Sequence, residues 1–160
     1  MARALIVGCG CRGRELGKEL LGEGWAVRGT SRREDGLGVI EAAGIEPALA
    51  DPDRPGTILE LVGDVTVLVL LLGNASGTDD ELAAIHGPRL ERLLEHLVET
   101  PVRGVVYEGT EEGEEIVRTA ARTWRIPART ISPSLSKTPD IGVKDRLTSE
   151  VRAVLAGGGK

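Results

Sequence analysis

Residues 8 to 13 read Gly8-Cys9-Gly10-Cys11-Arg12-Gly13, three glycines at the spacing G-x-G-x-x-G. The spacing alone carries little information; its surroundings carry much more. The apolar run Ala4–Val7 comes directly before it, and Leu16, Leu20 and Leu21 share one helical face directly after it. Gly22 and Gly24 stop that helix, and Ala26–Thr30 reads as a second strand. Strand, tight turn, helix and strand within about 30 residues confine this stretch to a βαβ unit. In such a unit Gly8 permits the turn, Gly10 lets the backbone approach a pyrophosphate, and Gly13 lets helix and strand pack closely. Cys11 and Arg12 then open a helix whose free N–H groups and positive dipole end favour an anion.

The same alternation runs to the other end of the chain. A weaker helix around Leu37–Ala43 leads to a third strand near Pro47–Ala50, and Ile58, Leu59, Leu61 and Val62 suggest a short helix. Val65–Leu72 is a continuous apolar run, the pattern of a central parallel strand covered on both faces. Leu82, Ile85, Leu90, Leu93, Leu94 and Leu97 form a helical stripe with a break at Gly87-Pro88. Gly104–Tyr107 is a fifth strand, and Ile116, Val117, Ala120, Ala121 and Trp124 form one helical face. Ala128–Ser132 is a sixth strand, Ser132 to Asp140 a Ser- and Pro-rich loop, and Val143, Leu147, Val151 and Leu155 a last helix before a frayed tail. The expectation is one Rossmann-like, doubly wound α/β domain over residues 1–160, with a parallel sheet in the order 3-2-1-4-5-6 between helical layers. Its ligand crevice lies at the carboxyl ends of the first and fourth strands.

Composition narrows the choice of ligand. The net charge of −5, with one Tyr, two Trp and no Phe, argues against nucleic acid, which needs clustered positive charge and stacking platforms. No apolar stretch approaches the ~20 residues of a membrane helix, and the N-terminus lacks the pattern of a signal peptide. Cys9 and Cys11 are the only cysteines and stand too close together to staple distant parts of a fold. A soluble, cytoplasmic protein is expected. His86 and His96 are ten residues apart and lack a neighbouring Cys or acid at metal-ligand spacing, so no metal is expected.

Ser31-Arg32-Arg33 ends the second strand, where an NAD site usually has a carboxylate for the ribose hydroxyls. A guanidinium pairs with a 2′-phosphate that a carboxylate would repel, so NADP is favoured, with NAD as the alternative. Arg32 and Arg33 could instead be a solvated pair at a strand end. Asp51 either contacts the adenine or simply forms a turn before Pro52. Gly73, in the run Gly73-Asn74-Ala75-Ser76-Gly77 after the fourth strand, leaves room for ribose and nicotinamide. Cys9 and Cys11 are either thiols activated at a helix start or small residues in a crowded turn.

Gly8-Cys9-Gly10 and Gly13, with Gly29-Thr30-Ser31-Arg32-Arg33, resemble atypical members of the short-chain dehydrogenase/reductase superfamily. The likeness is greatest to small proteins described as NAD-dependent epimerase/dehydratase-like. It runs from about residue 4 through Val106-Tyr107-Glu108 and implies a Rossmann fold with a nicotinamide dinucleotide ligand. Active members use a Tyr-x-x-x-Lys pair. Here the sole tyrosine is Tyr107, inside a strand, with Glu111 four residues later. Thr110 stands near the place of a catalytic hydroxyl without such partners, and no counterpart of the larger epimerases' substrate-binding extension is expected. Catalytic residues therefore stay unassigned. Glu108 is expected to face the crevice, and His86 to be a satisfied, partly buried side chain. Tyr107 is expected to bury its ring and carry its hydroxyl to the crevice or surface.

Three readings follow: an NADP-binding oxidoreductase-like protein, a non-enzymatic module that senses dinucleotide, and an empty scaffold acting through protein contacts. Regulatory nucleotide-binding domains of potassium channels exemplify the second and share an Asp after the third strand, as Asp51 here. Their usual acid at the end of the second strand is replaced by Arg32-Arg33. The sequence leaves oligomeric state open, a homo-oligomer included.

Overall fold

Short aliphatic runs between glycine and proline punctuation form parallel strands because both faces of each run need covering. The computed structural model describes residues 2–73, 75–131 and 142–157, and of these the side chains of 142–146 and 156–157 are not described. The expected loop at Ser132 to Asp140, and Asn74, lie outside the described residues. Six strands are present: β1 (Arg3–Val7), β2 (Ala26–Ser31), β3 (Glu46–Leu49), β4 (Val67–Leu71), β5 (Gly104–Glu108) and β6 (Ala128–Ile131). They pair in parallel in the order β3-β2-β1-β4-β5-β6, the Rossmann-like doubly wound arrangement. The helices are α1 (Cys11–Gly22), α2 (Leu37–Ala42), α3 (Pro55–Leu59), α4 (Asp79–Ile85), α5 (Pro88–His96), α6 (Glu111–Trp124) and α7 (Gly142–Gly157).

The two-residue period of the strands sorts their side chains into two cores. Leu5, Val7, Leu68, Leu70, Val105 and Tyr107 pack on one face with Ile58, Ile85, Leu90, Leu93 and Val117 of α3–α6. Ala4, Ile6, Val67, Val69 and Val106 pack on the other with Leu16 and Leu20 of α1, Ile40 of α2, and Leu147, Val151 and Val154 of α7. All five residues of β4 are buried, as the uninterrupted apolar run requires.

Helix punctuation follows from local chemistry. Thr78 and Thr110 each cap a helix by accepting from a backbone N–H, of Glu81 and Gly113 respectively. Pro88 opens α5 after the break at Gly87. Two details depart from the sequence reading. β3 begins one residue earlier, at Glu46, whose carboxylate pairs with Arg3 and Arg28. Trp124 is 42% exposed, since the buried residues of that helix are Gly113, Glu114 and Val117. Among the described residues, no helix is long and apolar enough to cross a membrane.

The β1–α1 turn holds the tightest backbone approach near the switch point between β1 and β4. Gly8 has φ +79°, and a Cβ there would overlap the Leu71 carbonyl oxygen, whereas a Cβ on Gly10 would meet nothing within 4 Å. Gly8→Ala is therefore expected to lose about 2 kcal/mol or more of stability, from left-handed strain plus a backbone clash that no rotamer relieves. Gly10→Ala should stay within roughly 0.5 kcal/mol of the parent. Urea denaturation of both variants checks the contrast; equal losses would contradict this account of the turn.

Candidate functional site

Carboxyl ends of parallel strands leave a crevice where the strand order reverses, and here it is a cavity of about 510 Å³. That volume lies within the usual range of about 300–1,000 Å³ for small-molecule sites. Gly8, Gly10, Cys11, Arg12 and Gly13 line it on one side, Ser31 and Arg32 on another, and Leu71, Ala75 and Ser76 on a third. Cys9 N–H donates to the Thr30 carbonyl (3.1 Å) and Gly10 N–H to the Gly8 carbonyl (2.8 Å), which fixes the turn against β2. Gly13 lies against β1, where a Cβ would come within 3.1 Å of Ile6 Cγ2.

The first helical bond of α1 runs from Arg14 N–H to the Gly10 carbonyl (2.9 Å), so the N–H groups of Cys11, Arg12 and Gly13 stand ahead of it. Unlike α4 and α6, α1 has neither a side-chain cap nor an acidic residue in its first turn. It has Arg12 and Arg14 instead, and both line the cavity. Positive side chains at a positive dipole end are unfavourable unless an anion balances them. Arg14 was not singled out from sequence, and this mismatch between residue sign and dipole sign is the signal that could have found it.

Beyond β2, Ser31 Oγ accepts from Arg33 N–H (3.1 Å) and donates to the Arg33 carbonyl (2.9 Å), forming a compact turn. Arg32 crosses the mouth of the cavity to donate to Ser76 Oγ (2.8 Å). Arg33 is exposed and does not line the cavity. Asp51 does not line it either: its carboxylate accepts from Asp53 N–H (2.9 Å), while its neighbours Ala50 and Pro52 form the wall. Gly73 faces the Glu108 carboxylate rather than the cavity. Cys9 is buried, and burial pushes its thiol up to about 11, with nearby Arg14 pulling weakly the other way. It is a packing residue at neutral pH. Cys11 is exposed.

Successive residues of β5 point to opposite faces, which separates Tyr107 from Glu108. Glu108 is completely buried, not exposed to the crevice as the sequence suggested. It accepts both ends of the Arg12 guanidinium: Nη2 donates to Oε1 at 2.9 Å, and Nη1 donates to Oε2. The fork geometry of Arg suits this bidentate pairing, and the partners are 96 residues apart in the chain. Tyr107 is completely buried as well, so its hydroxyl does not reach the surface. It accepts from Thr110 N–H (3.0 Å), which leaves its proton to donate to His86 Nδ1 (2.7 Å). Burial raises the Tyr107 phenol above its ordinary range and lowers His86 below its own, with a backbone hydrogen bond at Leu72 pulling His86 slightly back. Neither side chain lines the cavity.

No protein-family model and no curated protein matches the chain. Its fold matches solved structures. A short-chain dehydrogenase/reductase superfamily protein from Agrobacterium tumefaciens with bound NAD aligns with TM-score 0.66 and 19% identity, covering 80% of this chain and 48% of that one. A UDP-glucuronic acid 4-epimerase from Bacillus cereus, in complex with NAD, gives 0.65 and 15%, covering 81% and 55%. The Citrobacter sp. triphenylmethane reductase complexed with NADP(H) gives 0.63 and 18%, covering 81% and 48%. The chain spans about half the length of these structures. The resemblance read from the glycine turn and the end of β2 is thus matched at the level of fold.

The Tyr107–His86 contact has a measurable role in stability. Tyr107→Phe would orphan the buried His86 Nδ1 and the Thr110 N–H and should cost about 1–3 kcal/mol. Because the folded His86 pKa lies below 6.5, this residue's stabilisation is complete above pH 6.5 and is lost as the pH falls through the folded value. Urea midpoints measured from about pH 7.5 down to 5.5 should fall for the parent and fall less for His86→Gln. Identical pH profiles would contradict a neutral, hydrogen-bonded His86.

Proposed function

We propose that the cavity over the β1–α1 turn binds a nicotinamide dinucleotide and prefers NADP(H) to NAD(H). One observation carries the reading: an uncapped helix start opens into a cavity lined by Arg12, Arg14 and Arg32 and, among the described residues, by no carboxylate. The pyrophosphate lies against the N–H groups that begin α1, held close because Gly10 presents no side chain. The adenosine half runs toward β2, where Ser31 and Arg32, with Arg33 at the exposed rim, receive the 2′-phosphate. Pro52 and Ala50 flank the adenine, with Asp51 behind them shaping the turn. The other half runs toward β4, past the loop that begins at Gly73. The bound NAD and NADP(H) of the structural neighbours are consistent with a dinucleotide as the ligand.

In this reading the protein is oxidoreductase- or epimerase-like in fold without the superfamily's tyrosine chemistry. Tyr107 is shut inside the sheet, its phenol is pushed away from neutrality, and Glu111 stands four residues on. That burial favours, as a second reading, a non-enzymatic module whose dinucleotide occupancy is the signal. Two free cysteines accord with a cytoplasmic setting for either.

Calorimetric titration with NADPH and NADH tests the proposal. Charge-assisted contacts to the extra phosphate should favour NADPH by about 1.5–3 kcal/mol, roughly 10- to 150-fold. The double variant Arg32→Ala/Arg33→Ala should lose most of this gap and keep the shared pyrophosphate affinity. Gly10→Val should stay folded and bind neither, since its side chain would take the space of the pyrophosphate. Equal affinities, or tighter NADH binding, would overturn the NADP preference; normal binding by a folded Gly10→Val would move the ligand elsewhere.

A further inference from the structure

We propose that Arg12, clamped by Glu108, makes this site select the reduced dinucleotide over the oxidised one; the inference rests on the dinucleotide reading above. The topology sets the geometry. With the pyrophosphate at α1 and the adenosine half over β2, the nicotinamide half must cross the switch point toward the ends of β4 and β5. Arg12 is bound to the last residue of β5, so its guanidinium lies under that half of the ligand.

The ion pair is oriented. The Glu108 side chain is 0% exposed and that of Arg12 is 23% exposed, so the cavity meets the positive end while the counter-charge sits beneath it. Two guanidinium nitrogens each give one N–H to Glu108, which leaves three of the five donors uncommitted to that carboxylate. Arg12 cannot easily swing away, because that would strand a buried carboxylate without compensation. Arg14 and Arg32 add positive charge elsewhere in the cavity lining.

A fixed cation at this place discriminates by redox state. Oxidised and reduced dinucleotides share every phosphate, sugar and adenine contact, and they differ in the positive charge of the oxidised ring. The attraction of Arg12 to the phosphates is common to both forms, whereas its Coulomb repulsion of the ring charge acts on NADP⁺ alone. With the counter-charge of Glu108 close behind, a preference of about fivefold to tenfold is expected. The site then fills when the cellular pool is reduced. As an oxidoreductase the protein would rest loaded with reductant; as a module it would report reducing power.

Calorimetry of the full chain with NADPH and NADP⁺ tests this, using two variants with opposite expected effects. Glu108→Gln removes the counter-charge and should widen the preference. Arg12→Gln/Glu108→Gln replaces the pair by neutral groups that still hydrogen-bond and should abolish most of it; losing the Arg12 charge weakens both forms alike, so the ratio of the two affinities is the readout. A further readout needs no variant: raising salt from about 50 to 500 mM should shrink the gap for the parent, as screening predicts. Equal affinities, tighter NADP⁺ binding or a salt-independent gap would overturn the inference and leave the dinucleotide reading standing. A preference that survives in the folded double variant would overturn the role of Arg12. If neither form binds, the dinucleotide reading falls and takes this inference with it.

Discussion

The approach of the β1–α1 turn to its neighbours sets the position of everything around the cavity. Gly8 passes so near the Leu71 carbonyl that no side chain fits, Gly13 presses α1 onto Ile6 of β1, and the Cys9 thiol fills the space that Gly29 leaves empty on β2. These contacts bring the start of α1 over the junction of β1 and β4, where its leading N–H groups meet the cavity. The same packing settles the chemistry of Cys9, since a thiol enclosed between two strands and a helix is held protonated. A turn built for close backbone approach has little room for a reactive side chain.

Two buried polar contacts then fasten the carboxyl ends of the central strands, one on each face of the sheet. The alternation along β5 sends Glu108 to the α1 side, where Arg12 meets it, and Tyr107 to the α4–α6 side, where His86 and the Thr110 backbone meet it. Arg12 remains part of the cavity wall, so its pair is both a structural tie and a fixed charge facing the cavity. The Tyr107 contact lies outside the cavity lining. This division leaves the chain's one tyrosine buried on the opposite face of β5 from Glu108.

The fold was largely legible from the residues. Val65–Leu72 announced a doubly covered strand, Gly87-Pro88 the helix break, and the glycine turn the first crossover, because each depends on local sterics or on a period of two or 3.6 residues. The errors fell where tertiary contacts decide. Trp124 keeps the spacing of a core face yet sits at the end of α6, beyond the part of the helix that the sheet covers. Glu108 occupies the strand end that sequence assigned to the crevice, but its direction depends on Arg12, 96 residues away, and no local pattern encodes that partner. Three further residues were placed near the ligand by strand order and, for Arg33, by the affinity of a guanidinium for phosphate. None of them lines the cavity: the Asp51 carboxylate accepts within its own turn, Gly73 lies against Glu108, and Arg33 is exposed.

The central claim is that a dinucleotide lies across the first turn with its charge on the helix start. Backbone amide chemical shifts, followed by ¹⁵N-resolved NMR while NADPH is added, test it most directly. The expected result is a contiguous set of large, saturable changes at Gly10, Cys11, Arg12 and Gly13, joined by Ser31 and Arg32 and falling away toward α5 and α6. Saturable changes that spare residues 8–13, or that centre on α5 and α6, would contradict the account.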